Sequence, residues 1–519
     1  MKTIFRIYPA IGIARLGNSQ QAFFIGPEAP GIVPPSPYRD AEGKIKRQAA
    51  RFRIYAFERD EFGQEVCKRE VVMTANIQIE WQVQLGNRKA MGDRFPPDGG
   101  SAPLRRNSNY DSAGLIILTQ AAKVSGKNQE GAPLSGEINF IRNGNVESRT
   151  PVELGLLKTD EKGRLIVLGG FGVSRSPLGS RLSNYANNDG WYDDISDGPV
   201  RATLRIKNDA PIEAEPAWLV VAPPAYAPGI DNVVTWYDQA ENVNVTFFNP
   251  LLMMQRPSFT HHIYPILKRT VLLHWVLDEA SRHHGAGGNF LDPTRLEQLQ
   301  DNSNFPATEN PRMALFRRLV KPGTQAMQSE VFPQQPPDMP RLYSGLNPAN
   351  PTTAVFASLT AFQYTLMEKW AQGDFIADWR GEPKMPEFKR IPIQQQPDAL
   401  TRAALEACIG GPFFPGIECT YLAAQPQTYE QPFRIQQGFP PGYLTERMAL
   451  PWQADFLACG ELWWPAQRPV TVTTAAGELA AFSRGIQGFS GMVRWWQELG
   501  FVVQTGAEFH ESERGQIPV

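Results

Sequence analysis

The chain is poor in cysteine, with four in 519 residues: Cys67, Cys408, Cys419 and Cys459. They form no CxxC pair and no regular framework, which excludes a disulfide scaffold. Histidine is scarce too. The six include the pairs His261-His262 and His283-His284, without the spaced partners of a zinc site, so no metal enzyme is expected. Charge of one sign is missing: the net charge is −2, and a nucleic-acid footprint would need a clustered basic excess. No apolar run reaches membrane-spanning length. The start, MKTIFRIYPAIGIARLGNS, lacks the long apolar core of a signal peptide. A cytoplasmic protein is expected, or one exported without a recognisable signal.

What is present changes character along the chain. Up to about residue 245, short apolar or alternating runs recur: FRIYAF (52–57), IQIEWQVQL (77–85), GLIILTQ (114–120), GRLIVLGGFG (163–172), VRATLRI (200–206) and AWLVVAPP (217–224). Gly, Pro, Asn and Asp clusters separate them, as between strands. Beyond 250 the apolar spacing predicts helices over 263–284, 351–372 with Pro351 in its first turn, 398–408 ended by Gly410-Gly411, and 488–501 stopped at Gly500. Long proline-rich connections lie between them, of the kind that form functional walls. The expected fold is α+β: a β-rich domain over 1–245 and a helical, loop-rich catalytic domain over 246–519.

Several local features favour a structural reading. GGFG (169–172) lacks the third spaced glycine of a dinucleotide loop and reads as a sharp turn. NNDGWYDDISDGPV (187–200) lacks the terminal Glu of a calcium loop and reads as Asx-turns shaping a surface loop. Both histidine pairs read as structural, at a helix start and a helix end. Tyr237 is either an entrance residue or a core tyrosine.

The stretch PWQADFLACGELWWPAQRP (451–469) is different. It sets one carboxylate, Asp455, four residues before one thiol, Cys459, in aromatic surroundings. In a helix the two share a face. A carboxylate in apolar surroundings has a raised proton affinity and can act as a base. Five of the twelve tryptophans fall between 452 and 496. Taken alone, a tryptophan-lined core accounts for them, with Asp455 capping a helix or pairing with Arg468.

PWQADFLAC (451–459), WWPAQRP (463–469) and MVRWWQELGFV (492–502) resemble the signature of the LodA-like amino-acid oxidases, the lysine ε-oxidase and glycine oxidase family. IYPAIGIARLGNS (7–19), FFIGPE (23–28), DGWYDDISDGPV (189–200), AWLVVAPPAYAPGI (217–230) and GGPFFPGIE (410–418) resemble further family blocks in the expected order. The likeness covers most of the chain, with less sequence than in the best-known members between the cysteine block and the final tryptophan block.

The resemblance implies a cysteine tryptophylquinone built from the chain's own side chains. Cys459 would be the cross-linking thiol and Trp496 the oxygenated indole, with Trp495 as the neighbouring alternative. Asp455 would be the active-site acid, removing the proton from the carbon that bears the amine. Cys408 would lie near the cofactor without joining it, unpaired with Cys419. An amino acid or primary amine would be oxidised to an aldehyde or oxo-acid, and oxygen would return as hydrogen peroxide, with ammonia released. A flavoprotein maturation partner and a homo-oligomer are implied as well. Two alternatives remain: a dehydrogenase with the same quinone and another electron acceptor, and a non-catalytic binding protein of the same fold.

Overall fold

A computed structural model describes residues 2–95, 104–207, 209–284, 291–303, 310–323, 326–327, 339–340, 342–347, 350–411, 418, 421–458 and 464–517. The fold is α+β. One twisted sheet of fifteen strands fills the first 222 residues. Its central path runs through the strands 130–142, 145–159, 165–169, 47–59, 11–15, 217–222, 196–206, 77–83 and 122–125, in that spatial order. The sheet nearly closes on itself. Gly131, in the first of these strands, lies so near Lys123 and Val124 of the last that a β-carbon there would touch both.

The sequence pattern explains the layers. In Ile77–Val83, Ile79, Trp81 and Val83 are buried and the residues between them face outward, as alternation demands. Ala217–Ala222 does not alternate and is buried throughout. It pairs in parallel with Ile11–Arg15, also buried throughout, so the centre of the sheet is covered on both faces.

The first α-helix, Trp236–Val243, follows the last strand of this sheet and is closed by a Thr235/Asp238 capping box. The helices that follow differ in detail from the spacing-based expectation. The run 263–284 is not one helix. It divides into Tyr264–Leu272, a 3₁₀ turn Leu273–Trp275, and Asp278–His284. The break falls at Val276, whose carbonyl accepts from Val470 N (2.8 Å) and Thr471 N (3.3 Å) instead of continuing a helix. In the run 351–372, Asn350–Phe356 is a strand, as its β-branched residues favour. The helix begins only at Ala361, where Thr360 and Gln363 form a capping box, and stops at left-handed Gly373.

The third helix spans Gln396–Glu406. It ends before Gly410 because Cys408 O accepts from Trp236 N and Gly410 N donates to Val234 O. The fourth is Gly488–Trp495 with a 3₁₀ turn Trp496–Glu498, after which the strand Phe501–Thr505 begins. Gly500 is not a left-handed stop; it is needed because Glu511 occupies the space of a side chain. Among the described residues no helix is long and apolar enough to cross a membrane.

Candidate active site

Asp455 sits in the first turn of the helix Trp452–Ala458 and is 2 % exposed. Cys459 follows the last residue of that helix and lies outside the described residues, as do Cys419 and Trp463. Phe456 ties the helix to the core: its ring meets those of Trp452 (5.5 Å) and Tyr226 (5.6 Å). Arg468, the alternative partner for Asp455, donates to the carbonyls of Phe456 and Pro469 (2.7 Å each).

Trp496 and Trp495 part company. Trp496 is buried, with its ring edge-on to that of Trp452 at 5.3 Å, so it faces the Asp455 helix. Its carbonyl accepts from Tyr226 Oη at 2.7 Å. Trp495 is half-buried and stacked under Arg494, 4.8 Å from its ring centre.

A second neighbour of the Trp496 indole is a glycine. A β-carbon on Gly172 would stand 2.2 Å from Cζ2 and 2.7 Å from Cη2 of the indole. Gly172 also has φ +75, where a side chain is strained. The GGFG turn therefore lays bare backbone against the six-membered ring. Gln453, from the Asp455 helix, joins the two walls: its Nε2 donates to Gly172 O (3.1 Å) and its Oε1 accepts from Ser174 Oγ (2.6 Å).

The segment 187–200 is not a surface loop. Asp193, Asp194 and Asp197 are each at most 1 % exposed. The polar composition suggested solvent, but these carboxylates are consumed internally. Asp193 forms a fully buried ion pair with Lys89 and accepts from Trp452 N (3.0 Å), at the start of the Asp455 helix. Asp194 accepts from Val173 N (3.0 Å) and from Gly172 N, inside the GGFG turn. Burial pushes its proton affinity up, to a pKa of about 7. Burial lowers the Lys89 ammonium's affinity, while Asp193 and, more weakly, Asp455 oppose that shift.

Cys408 belongs to a second apolar cluster, with Trp218 and Trp236, while Trp452, Phe456 and Trp496 belong to the first. It is a free, buried thiol that donates to Ala404 O (3.3 Å) and receives a 3.7 Å contact from Arg15 Nη2. Burial pushes the thiol up, keeping it neutral. Arg15 is itself paired with buried Glu418 (2.7 Å), whose other oxygen accepts from Ile409 N (2.8 Å). Arg15, Asp231, Cys408 and Gln467 line a small cavity. Tyr237 is stacked on Phe433 (5.1 Å) and lines another cleft, with Glu241, His262 and Arg402. Among the described residues no group of three His, Cys, Asp or Glu side chains is placed to hold a metal ion.

Sequence reading did not single out Lys89, Gly172, Asp193, Asp194, Tyr226 or Gln453 as site residues. The adjacent acids within WYDDIS, flanked by aromatic and apolar residues, were the available signal.

The chain is similar to known proteins. Residues 8–221 match the L-lysine epsilon oxidase N-terminal family model, and residues 341–476 match the L-lysine epsilon oxidase C-terminal domain model. The chain is 26 % identical to the L-lysine 6-oxidase of Marinomonas mediterranea, over 96 % of this chain and 86 % of that protein. The crystal structure of the L-Lys epsilon-oxidase from the same organism superposes with a TM-score of 0.78 at 24 % identity, covering 98 % of this chain and 94 % of that one. A crystal structure of its Schiff base intermediate with L-Lys gives the same TM-score, covering 98 % and 95 %. With both family models matched in order and the relative aligned nearly end to end, the chain belongs to the LodA family of amino-acid oxidases.

Proposed function

We propose that this chain oxidatively deaminates an amino acid or primary amine with a cysteine tryptophylquinone made from its own Cys459 and Trp496. The observation that carries the reading is the placement of the Trp496 indole. It lies against both the helix bearing Asp455, which ends one residue before Cys459, and the side-chain-free backbone of Gly172. The cradle fits an indole that must gain substituents, because a β-carbon at 172 would fill it. Trp495, stacked under Arg494, is the weaker candidate.

The quinone would supply an electrophilic carbonyl and an electron sink. The chain's own groups do the rest. Asp455, buried among aromatic rings, would take the proton from the carbon bearing the amine. Trp452, Phe456 and Tyr226 keep water from the ring. Overall, amine, oxygen and water would give carbonyl product, ammonia and hydrogen peroxide, with two electrons passing from the substrate carbon to oxygen. A flavoprotein would be needed for maturation, and a homo-oligomer is the expected assembly. The relative's name points to lysine as the first substrate to try.

The test is co-expression with the neighbouring flavoprotein, followed by peptide mass analysis and a peroxide screen over the amino acids and simple amines. The expected product is a cross-linked peptide pair holding residues 459 and 496, two oxygens heavier and four hydrogens lighter than the sequence. A Cys459–Trp496 pair that stays unmodified in a fully matured preparation would refute the reading. Dye reduction without peroxide would move the enzyme to the dehydrogenase class.

A further inference from the structure

The two walls of the Trp496 indole come from segments far apart in sequence, 169–174 and 452–458. Both are fastened to the same two adjacent residues. Asp193 Oδ2 accepts the N–H of Trp452, which opens the Asp455 helix and whose ring meets Trp496. Asp194 Oδ2 accepts the N–H of Val173, and Gly172 N–H also donates to this carboxylate. Gly170 lies so close that its β-carbon would stand 2.5 Å from Asp194 Oδ2. The carboxylate therefore sits in a nest of backbone groups, the arrangement that holds anions at sharp turns.

The two neighbouring carboxylates reach different segments, Asp193 the helix and Asp194 the turn. Each is buried, and each has a reason to be costly. The Lys89–Asp193 pair is wholly out of water. Asp194 Oδ1 has no hydrogen-bond partner among the described residues, and neither has Trp452 Nε1. Stability alone does not call for such an arrangement. A ring that must be held while substituents are added to it does.

We propose that Asp193 and Asp194 are positioning residues that clamp the Trp496 indole from two sides, Asp193 through the Asp455 helix and Asp194 through the GGFG turn. The role in cofactor formation rests on the reading of Trp496 as the quinone-bearing residue. The clamp itself does not. Lys89 pairs with Asp193 Oδ2, the same oxygen that accepts from Trp452 N. Gln453 closes the loop by tying the helix directly to Gly172 O.

The experiment uses the full chain co-expressed with its flavoprotein partner. Asp194→Asn, Asp193→Asn and the charge-free pair Lys89→Met/Asp193→Asn are compared with Asp197→Asn, a buried acid of the same segment. Amide hydrogen exchange, quinone absorbance per folded molecule and melting temperature are read on the same samples. In Asp194→Asn, exchange at Gly172 and Val173 should speed up by up to roughly 10-fold, the worth of one hydrogen bond. The quinone band should weaken and shift. In the Asp193 variants the same should happen at Trp452; the double variant serves if the single one does not fold. Asp197→Asn should move exchange at Leu444 and Thr445 and leave the quinone band in place.

Wild-type protection at Gly172, Val173 and Trp452 in the Asp193 and Asp194 variants would overturn the clamp. An unchanged quinone band despite lost protection would overturn its role in maturation. A wild-type protein that never forms a quinone would defeat the functional reading, yet the exchange arm would still decide the clamp.

Discussion

One acidic segment serves two regions of this molecule in different ways. Asp193 and Asp194 reach the cluster around Trp496: Asp193 bonds the side chains of Lys89 and Asn87 and the N–H of Trp452, and Asp194 bonds N–H groups of a turn against the aromatic ring. Asp197, three residues on, reaches the cluster around Trp218. It accepts from Trp218 Nε1 (2.9 Å), Thr445 N (2.8 Å), Thr445 Oγ1 (2.6 Å) and Leu444 N (3.3 Å). Nearby, Arg15 and Glu418 form a closed network with each other and with the chain around Cys408. Beside the Trp496 ring, Asp194 Oδ1 and Trp452 Nε1 have no hydrogen-bond partner among the described residues, whereas both oxygens of Asp197 are bonded. A buried polar group left without a partner needs a reason other than packing.

The sharpest break in that comparison is at Asp455. If it is the base, Asp455→Asn should lower turnover by roughly 10²–10⁴-fold. Melting temperature, quinone absorbance and peroxide release measured on one sample separate this from a structural role. A variant that keeps its quinone and near-normal turnover removes Asp455 from the mechanism and makes the two regions alike.

Much of the architecture was legible because its signals are local. Alternation gave the strand 77–83, and an unbroken apolar run gave the buried strand 217–222. The long hairpin 130–159 was legible but unread: its turn is Asn143-Gly144, both at positive φ, the commonest two-residue hairpin signal. Helix ends were poorly legible, because Val276 and Cys408 surrender their carbonyls to partners remote in sequence. The segment 187–200 was misread for a physical reason. Asp and Asn favour turns in water, and nothing local says that the partners of Asp193 are Lys89 and residue 452. At the site, Asp455 was legible as an acid among aromatics. The contact of Gly172 with Trp496 was not, since it joins residues more than 300 apart.

A second prediction sharpens the contrast through pH. Burial raises Asp197 from the ordinary 3.8 to about 6. The folded state thus binds this proton more tightly than the unfolded state. Its contribution to stability is complete below about pH 3.8 and is lost as pH rises through about 6. Two pKa units correspond to on the order of 3 kcal/mol. Denaturant melts of wild type and Asp197→Asn between pH 4 and 8 should differ in slope, the variant losing this fall. Parallel curves would show that the four hydrogen bonds hold Asp197 ionised throughout.

The smallest expected effect lies at Cys408, where the two regions are predicted to communicate. Its thiol makes one hydrogen bond, to Ala404 O, and one long contact with Arg15, while Arg15 keeps Glu418, Pro223 O and Ala407 O as partners. Cys408→Ala removes a sulfur and leaves that network whole. It should cost about 1 kcal/mol, in the range of a mild core truncation. The thiol is not a nucleophile, because burial holds it in the neutral form. If Cys408 bears on the cofactor, it does so through the cavity it shares with Gln467, whose carbonyl accepts from Tyr226 N, while Tyr226 Oη holds Trp496 O. Quinone yield or turnover should then fall by more than the small loss in melting temperature explains. Wild-type quinone yield and turnover in Cys408→Ala would confine Cys408 to packing and leave the Trp496 cluster as the whole of the site.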